Sequence, residues 1–251
     1  HPDTVTTTNN LANLYGDQGQ IAKAEPLYLE ALKIRREILG NKHPDTASTI
    51  NNLGTFYFKQ TQYNKADPLY LEALGIFRNV LGKEHPEYAL CLANLAELYS
   101  KQGQFSKAEP LFVEALKIRR KIPGDKHPGT ALIINNLGTL YFKQNQYSKA
   151  EPLFVEALGM FRNALEKEHP DYAICLVNLG EFYSNQGQYS KAEPLFVEAL
   201  KIRRKILGDK HPDTASSINN LAIVYFTQNK YGKAEPLFME ALKIRKEILG
   251  D

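Results

Sequence analysis

The sequence has very few cysteines and no long apolar run. Two cysteines, Cys91 and Cys175, cannot form a disulfide framework, so we expect a reducing compartment and a cytoplasmic protein. Uninterrupted apolar stretches span only a few residues, whereas a helix that crosses a bilayer needs about 20, so no membrane partner is expected. The formal charge of +3, from 31 basic and 28 acidic residues, is too balanced to indicate a nucleic-acid-binding protein.

What the sequence does contain is a repeat. The dipeptide His-Pro recurs in steps of 42, beginning at residues 1, 43, 85, 127, 169 and 211. Six units fill the chain without linkers, which predicts one domain, 1–251, made of the repeats 1–42, 43–84, 85–126, 127–168, 169–210 and 211–251. Positions 1 to 42 are counted below from the His of each repeat.

Odd and even repeats differ. Repeats 85–126 and 169–210 agree at 34 of 42 positions and repeats 43–84 and 127–168 at 30, but 43–84 and 85–126 agree at only 19. The duplicated unit was therefore a pair of 84 residues. We expect the two kinds of repeat to have different physical roles.

Each repeat carries two helical patterns. In the fourth repeat Ile134, Leu137, Gly138 and Tyr141 follow the i, i+3, i+4, i+7 spacing of an amphipathic helix, and the second half has a similar pattern. A Gln-x-Gln turn separates the halves, and the Leu-Gly pairs that end at Gly82 and Gly208 are typical of a left-handed C-cap. Small residues at position 12 permit close helix approach: Gly54, Ala96, Gly138, Gly180 and Ala222.

A proline at position 26 of every repeat falls early in the second helix, where an interior proline costs about 3 kcal/mol. We therefore predict that this helix starts late, with a capping box in which Ser is the N-cap and the Glu three residues on completes it. The pairs are Ser106 with Glu109, Ser148 with Glu151, Ser190 with Glu193, and Asn64 with Asp67.

Six helix pairs, none able to bury its apolar face alone, predict an all-α fold: a right-handed α-solenoid. The pattern Leu-Gly/Ala-x-x-Tyr, Gln-Gly-x-Tyr/Phe-x-x-Ala, Ala-Leu resembles the tetratricopeptide repeat along the whole chain. More narrowly, HPDTASTINNLGTFYFKQTQYNKADPLYLEALGIFRNVLG is similar to the 42-residue variety of kinesin light chains. The sequence departs from the common form in its repeat length and in lacking tryptophan.

One stripe of the first helix, positions 10, 13 and 17, lies opposite the apolar face. Position 10 is asparagine in all six repeats: Asn10, Asn52, Asn94, Asn136, Asn178 and Asn220. The resemblance implies that the first helices line a concave surface and that these amides hold the backbone of an extended peptide. An amide suits that role because it offers a donor and an acceptor together. Asn51 and Asn135, at position 9, are included in the predicted site.

The same surface is expected to alternate aromatic and acidic positions. Phe58 and Phe142 at position 16 would form aromatic shelves, and Glu97 and Glu181 at position 13 acidic notches. Position 17 adds three flanking lysines: Lys59, Lys101 and Lys143. Two alternatives stay open: the asparagines bond one another or a neighbouring helix and only fix the stacking, and the lysines are merely solvated.

No enzyme, cofactor or metal site is expected. The six histidines belong to different repeats, and packed helices lie about 8–10 Å apart, whereas zinc ligands converge to about 2 Å from one ion. No glycine-rich phosphate loop occurs. The cluster Lys117-Arg119-Arg120-Lys121, repeated at 201–205, is interpreted as a solvated helix end that opposes the helix dipole.

We therefore predict a protein-interaction scaffold that binds an extended peptide or helix of a partner protein in its concave groove, without catalysis. One alternative is self-assembly through the terminal repeats, since Ile244, Ile248 and Leu249 are expected to be exposed at an uncapped end. A lesser alternative is an RNA-binding helical array that uses Arg119 and Arg120.

Overall fold

The computed structural model describes residues 2–122, 128–164 and 169–249. Those residues form twelve α-helices and no β-strand, two helices in each repeat. The first helices of the repeats are α1 (Pro2–Asp17), α3 (Pro44–Lys59), α5 (Pro86–Lys101), α7 (Pro128–Lys143), α9 (Pro170–Asn185) and α11 (Pro212–Thr227). The second helices are α2 (Ile21–Leu39), α4 (Tyr63–Val80), α6 (Phe105–Arg120), α8 (Tyr147–Ala164), α10 (Tyr189–Leu207) and α12 (Tyr231–Leu249).

The chain divides into two compact units, His1–Pro123 and Gly124–Asp251, each of three repeats. The single domain 1–251 stays a prediction. In each unit the two helices of a repeat pack together, the second helix packs on the next first helix, and neighbouring first helices also approach. Second helices of neighbouring repeats have no such approach in the described part of either unit. The first helices therefore lie on the inner side of each unit.

Histidine and proline together start the first helices. His43 is extended, at φ −78° and ψ 142°, and its Nδ1 accepts a hydrogen bond from the backbone N–H of Asp45 at 3.1 Å. His85, His169 and His211 cap their helices in the same way. Proline follows at the first helical position, where it has no N–H to lose. In the described residues, no group of three or more His, Cys, Asp or Glu could hold a metal ion.

The turn between the helices of a repeat needs a left-handed residue. Gly103 has φ +75°, and Thr61 and Asn145 take φ +57° and +59° at the same position. The turn closes when the N–H of Gln104 bonds the carbonyl of Tyr99 at 2.8 Å. Gly82 and Gly208 take positive φ, +85° and +84°, beyond the second helices as predicted, but a ψ of 169° puts Gly208 outside the αL region of the predicted left-handed C-cap.

The predicted capping boxes are wrong. The second helix starts as soon as the turn closes, so Gln104 precedes it without a side-chain cap bond. Ser106, Ser148 and Ser190 are therefore already inside their helices, as is Asn64, and none is an N-cap. Pro110 therefore lies inside the helix, where it cannot donate a backbone N–H to the carbonyl of Ser106. Both residues are on the solvent-exposed face of the helix. Water can solvate that carbonyl, which limits the cost.

Glycine allows close packing inside a repeat, as predicted. A methyl group added to Gly180 would lie 2.8 Å from the Phe196 ring, and one added to Gly54 would lie 3.0 Å from the Tyr70 ring. Such distances are shorter than ordinary van der Waals contact. The first and second helices of these repeats therefore touch through a glycine.

Neighbouring repeats are tied by a tyrosine. Tyr183 at position 15 donates its hydroxyl to Glu151 of the preceding repeat at 2.9 Å, and Tyr57 donates to Glu25 at 2.8 Å. Burial, reinforced by the glutamate, raises the pKa of Tyr183 to about 12. Glu151 and Glu193, which were assigned to capping boxes, thus serve as acceptors between repeats.

The 84-residue period has a physical basis in two kinds of contact between repeats. In the first kind, position 35 is phenylalanine: buried Phe161 lies 6.1 Å, ring centre to ring centre, from Tyr172 at position 4 of the next repeat. Phe77 and Tyr88 are buried at the equivalent positions. We call this the aromatic junction.

In the second kind, the arginine junction, position 35 is arginine and position 4 threonine. Arg203 donates at 2.8 Å to the carbonyl of Asp213 and to Ser217, both in the next repeat. Arg35 donates at 3.0 Å to the carbonyl of Asp45. Thr214 is fully buried and bonds the Gly208 carbonyl.

Arg203 is tied into the next repeat, so the basic cluster at 201–205 is not simply a solvated helix end. Ile248 is exposed as expected, but Ile244 is buried, and the side chain of Leu249 lies outside the described residues. Cys91 is buried between helices, where its thiol donates to the carbonyl of Tyr70 on α4 at 3.4 Å. In the described ranges, no helix has the length and apolar character needed to span a bilayer.

Candidate functional site

The asparagines at position 10 lie on the inner side of each unit, on the first helices. Asn10 is exposed and the other five are half-buried. Three of them donate Nδ2 to the preceding repeat of the same unit: Asn94 to Asn51 at 3.0 Å, Asn178 to Thr139 at 3.4 Å, and Asn220 to Glu181 at 3.0 Å. The alternative that these amides help to fix the stacking therefore has direct structural support.

The asparagines at position 9 are placed differently from the prediction. Asn51 is 8% exposed and accepts the hydrogen bond from Asn94, while Asn135 is fully buried. The buried Oδ1 atoms of Asn135 and Asn9 have no hydrogen-bond partner within the described residues. Position 9 thus faces the neighbouring repeat, and Asn51 and Asn135 do not belong to the open surface.

A pocket of about 240 Å³ lies between the first two repeats. Asn52 and Lys59 line it from one side, and Asn13, Gly16 and Tyr28 from the other, with further walls from Thr55, Phe56 and Gln60. The hydroxyl of Tyr28 donates to Oδ1 of Asn13 at 2.5 Å, and that of Tyr70 donates to Thr55 at 3.2 Å. Position 28 therefore orients position 13 in repeats that carry tyrosine there.

A second pocket, of about 400 Å³, lies among repeats four to six. Its apolar walls are Phe142, Tyr189, Phe196 and Ile223, and its polar groups include Glu181 and Asn220. Phe142 stacks edge-on against Phe182 at 5.6 Å. Phe196 replaces the tyrosine of position 28 and has no hydroxyl, so Glu181 bonds Asn220 of the next repeat instead.

The two pockets use the same positions of the repeat. Each combines positions 10, 13 and 17 of one first helix with positions 13 and 16 of the preceding first helix and position 28 of its partner. They differ in charge: Lys59 is the charged residue lining the first pocket, and Glu181 the one lining the second. The two pockets therefore carry side chains of opposite charge.

The remaining predicted residues lie on first helices but outside these two pockets. Lys101 and Lys143 are exposed in the last turn of their helices, Glu97 is half-buried, and Phe58 packs against Tyr63 at 5.8 Å. The prediction missed the position-28 residues Tyr28 and Phe196, which belong to the second helices. Only the register between the two helices of a repeat could have revealed them.

Comparison with known proteins identifies the repeats. A family model described as tetratricopeptide repeat matches residues 45–121, 107–163, 149–200 and 171–247, and a second model of the same description matches residues 4–45. A comparison with curated proteins found no match.

Solved structures share the fold. BtubC (BKLC) from P. vanneervenii is 27% identical with a TM-score of 0.72, and the match covers 93% of this chain and 92% of that one. A putative kinesin light chain from Podosopora anserina with nearly identical TPR-like repeats is 25% identical with a TM-score of 0.61, over 82% and 97% of the two chains. A Rap protein complexed with competence and sporulation factor, 18% identical with a TM-score of 0.68 over 98% and 78%, shows the fold alone.

Proposed function

The chain belongs to the tetratricopeptide repeat family, and we propose that it binds an extended segment of a partner protein on the inner, first-helix side of its units. The observation that carries the proposal is the pair of pockets at one register of the repeat, one in each unit. A ligand side chain could enter each pocket while its backbone runs along the first helices. No catalytic step is part of the proposal.

The position-10 asparagines can serve both the stacking and the ligand. A side-chain amide has two N–H donors and a carbonyl oxygen. Asn220 uses one donor to reach Glu181 across the repeat boundary, at the rim of the second pocket. A bound peptide group would then meet an amide whose orientation is already fixed, which lowers the entropy cost of binding.

The charges of the two pockets favour a peptide that carries both acidic and basic side chains. Lys59 in the first pocket suits a carboxylate, and Glu181 among Phe142, Tyr189 and Ile223 suits a lysine or arginine whose aliphatic stem packs on apolar walls. An RNA ligand fits less well, because a phosphate backbone would meet Glu181, and Arg203 of the basic cluster is already bonded to Asp213 and Ser217.

The experiment is a displayed peptide-library selection on the 251-residue chain, followed by affinity measurements with the selected peptides. Ile223→Arg places a long charged side chain in the second pocket and should weaken binding by roughly tenfold or more. Val197→Arg is the matched control, since Val197 is an equally exposed aliphatic residue of the same unit on a second helix. If both variants bind like the parent, the inner side is not the binding surface.

A charge test follows from the same selection. Glu181→Lys should lose peptides with a basic residue and recover with peptides in which that residue is made acidic. Circular dichroism must show that the variant is as helical as the parent, because Glu181 also accepts a hydrogen bond from Asn220. A preference unchanged by the reversal would contradict the assignment of the second pocket.

A further inference from the structure

The residue at position 28 lines each pocket beside position 13 of the same repeat. In the first repeat the hydroxyl of Tyr28 donates to Oδ1 of Asn13. A side-chain amide whose oxygen is engaged in this way still offers the two N–H donors of its nitrogen. Asn13 lines the first pocket together with Lys59, so the hydroxyl of Tyr28 turns donors towards a pocket that already carries a cation.

The fifth repeat has the opposite arrangement. Position 28 is Phe196, which is 1% exposed and packs so closely on α9 that a methyl group added to Gly180 would lie 2.8 Å from its ring. The next residue, Glu181, therefore receives no hydroxyl from position 28. Its carboxylate lines the second pocket and accepts from Nδ2 of Asn220 in the next repeat at 3.0 Å. An ionised carboxylate offers acceptors only, with about four sites for hydrogen bonds.

The sequence pairs positions 13 and 28 in a consistent way. Tyrosine at position 28 occurs in the first two repeats, with asparagine or threonine at position 13, and Tyr70 donates to Thr55 at 3.2 Å. The third and fifth repeats carry glutamate at position 13, and both have phenylalanine at position 28. In no repeat does the sequence combine glutamate at position 13 with tyrosine at position 28.

We propose that position 28 sets the charge preference of each pocket, and that Phe196 is a specificity-determining residue. Phe196 leaves the carboxylate of Glu181 to accept from a lysine or arginine side chain of the partner, whereas a tyrosine would engage that carboxylate. Tyr28, in turn, directs the N–H donors of Asn13 towards an acidic side chain. The inference rests on the proposed function, because it concerns what distinguishes the ligand side chains of the two pockets.

A cation of the chain itself lies near Glu181 but has a different role. The charges of Arg203 and Glu181 interact, and burial lowers the pKa of Arg203. The guanidinium donates at 2.8 Å to the carbonyl of Asp213 and to Ser217, both in the next repeat. Arg203 is therefore committed to the junction between repeats, while Glu181 lines the pocket.

Two peptides that differ by one charged group test the second pocket on the 251-residue chain. One is a capped pentapeptide of alanines with a central lysine, and the other has norleucine there, which is lysine without its ammonium group. Titrations into the millimolar range, followed by NMR at the methyl groups of Ile223 in the second pocket, give the ratio of the two affinities. The parent should prefer lysine about two- to fivefold, the range for an exposed ion pair.

Phe196→Tyr should lower that ratio towards one, because the new hydroxyl donates to Glu181 and the lysine has to compete with it. Phe154→Tyr is the matched control, since Phe154 is buried at the same position of the fourth repeat, outside the second pocket, with Thr139 at position 13 to accept the hydroxyl. Its ratio should equal that of the parent. A merely structural effect of a buried hydroxyl would weaken both peptides equally and leave the ratio unchanged.

Tyr28→Phe is the converse variant and only removes an oxygen atom, so it should fold even if Phe196→Tyr does not. With pentapeptides that carry central glutamate or glutamine, followed at the methyl group of Thr55 in the first pocket, it should lower the preference for glutamate about twofold or more. An unchanged ratio in either variant would overturn the inference, as would a parent that does not prefer lysine to norleucine. Failure of the proposed function is seen separately, in selected peptides whose binding ignores Ile223→Arg.

Discussion

The aromatic and arginine junctions solve the same packing problem with different chemistry. At the aromatic junction Phe161 and Tyr172 fill the space between repeats with two rings. At the arginine junction Arg203 satisfies a backbone carbonyl and a hydroxyl, and the smaller Thr214 leaves room for it. Threonine is much smaller than tyrosine, but arginine is no larger than phenylalanine, so shape and hydrogen bonding rather than total volume make positions 35 and 4 vary together. The 84-residue period is therefore a rule about which repeat can follow which.

The largest loss of stability is expected when an arginine from one kind of junction is placed opposite a tyrosine from the other. Phe161→Arg would place a cation against the Tyr172 ring in a buried site, and should lower the free energy of unfolding by about 3–5 kcal/mol, because removing a charge from water without a matched partner is costly. Adding Tyr172→Thr recreates the arginine junction and should restore part of the loss. Urea unfolding of the single and double variants measures the coupling.

The coupling energy decides the interpretation. We expect it to favour the double variant by about 0.5–3 kcal/mol, the range for residues in contact. Phe226→Arg, at an exposed phenylalanine of the same unit, is the control and should change stability by less than about 0.5 kcal/mol. Additive effects of Phe161→Arg and Tyr172→Thr would show that the two positions are independent.

A smaller effect is expected at the arginine junction itself. Arg203→Met keeps the aliphatic length but leaves the Asp213 carbonyl and the Ser217 hydroxyl without their donor, and should cost about 1–3 kcal/mol. Arg245→Met changes the same position of the last repeat, where the side chain is exposed. Measured on the monomer, that variant should be neutral, and an equal loss in both would assign the effect to the helix rather than to the junction.

The tyrosine tie is common to both junctions and should contribute less than either. Tyr183→Phe removes the hydrogen bond to Glu151 and should cost about 0.5–1.5 kcal/mol at neutral pH. The folded pKa of Tyr183, about 12, lies above its usual value of 10, mainly because of burial. Its contribution is therefore intact below pH 10 and is lost as pH rises towards 12. Between pH 10 and 12, the free energy of unfolding measured with urea should fall more steeply for the parent than for Tyr183→Phe.

The sequence was sufficient for the fold because one pattern is repeated six times. Helical periodicity, the Gln-x-Gln turn and the small residues at position 12 each predict local structure that the repeat requires. The prediction of capping boxes was wrong because it relied on the local motif Ser-x-x-Glu. In the structure Glu151 instead accepts a hydrogen bond from the hydroxyl of Tyr183 in the next repeat. A contact between repeats leaves no local signal.

The candidate site shows the same division. A helical wheel puts Asn52, Glu181 and Asn220 on one face of the first helices, and all three line a pocket. The wheel needs only the helical period. It cannot say that Asn51 at the next position is buried against Asn94 of the following repeat, or that Phe196 closes a pocket wall. Those facts depend on how the helices pack on one another, which the pattern within a single helix does not reveal.

The smallest predicted change concerns a glycine found where position 35 is phenylalanine. Gly159, two positions before Phe161, is interior to α8, and a methyl group added there would meet nothing within 4 Å. Gly159→Ala should therefore stabilise the chain by about 0.5–1 kcal/mol, because alanine loses less backbone entropy in a helix. Gly180→Ala, whose methyl would lie 2.8 Å from Phe196, should have the opposite sign. If urea unfolding shows that Gly159→Ala also destabilises the chain, the aromatic junction requires a residue without a side chain at position 33. Positions 33, 35 and 4 would then vary together.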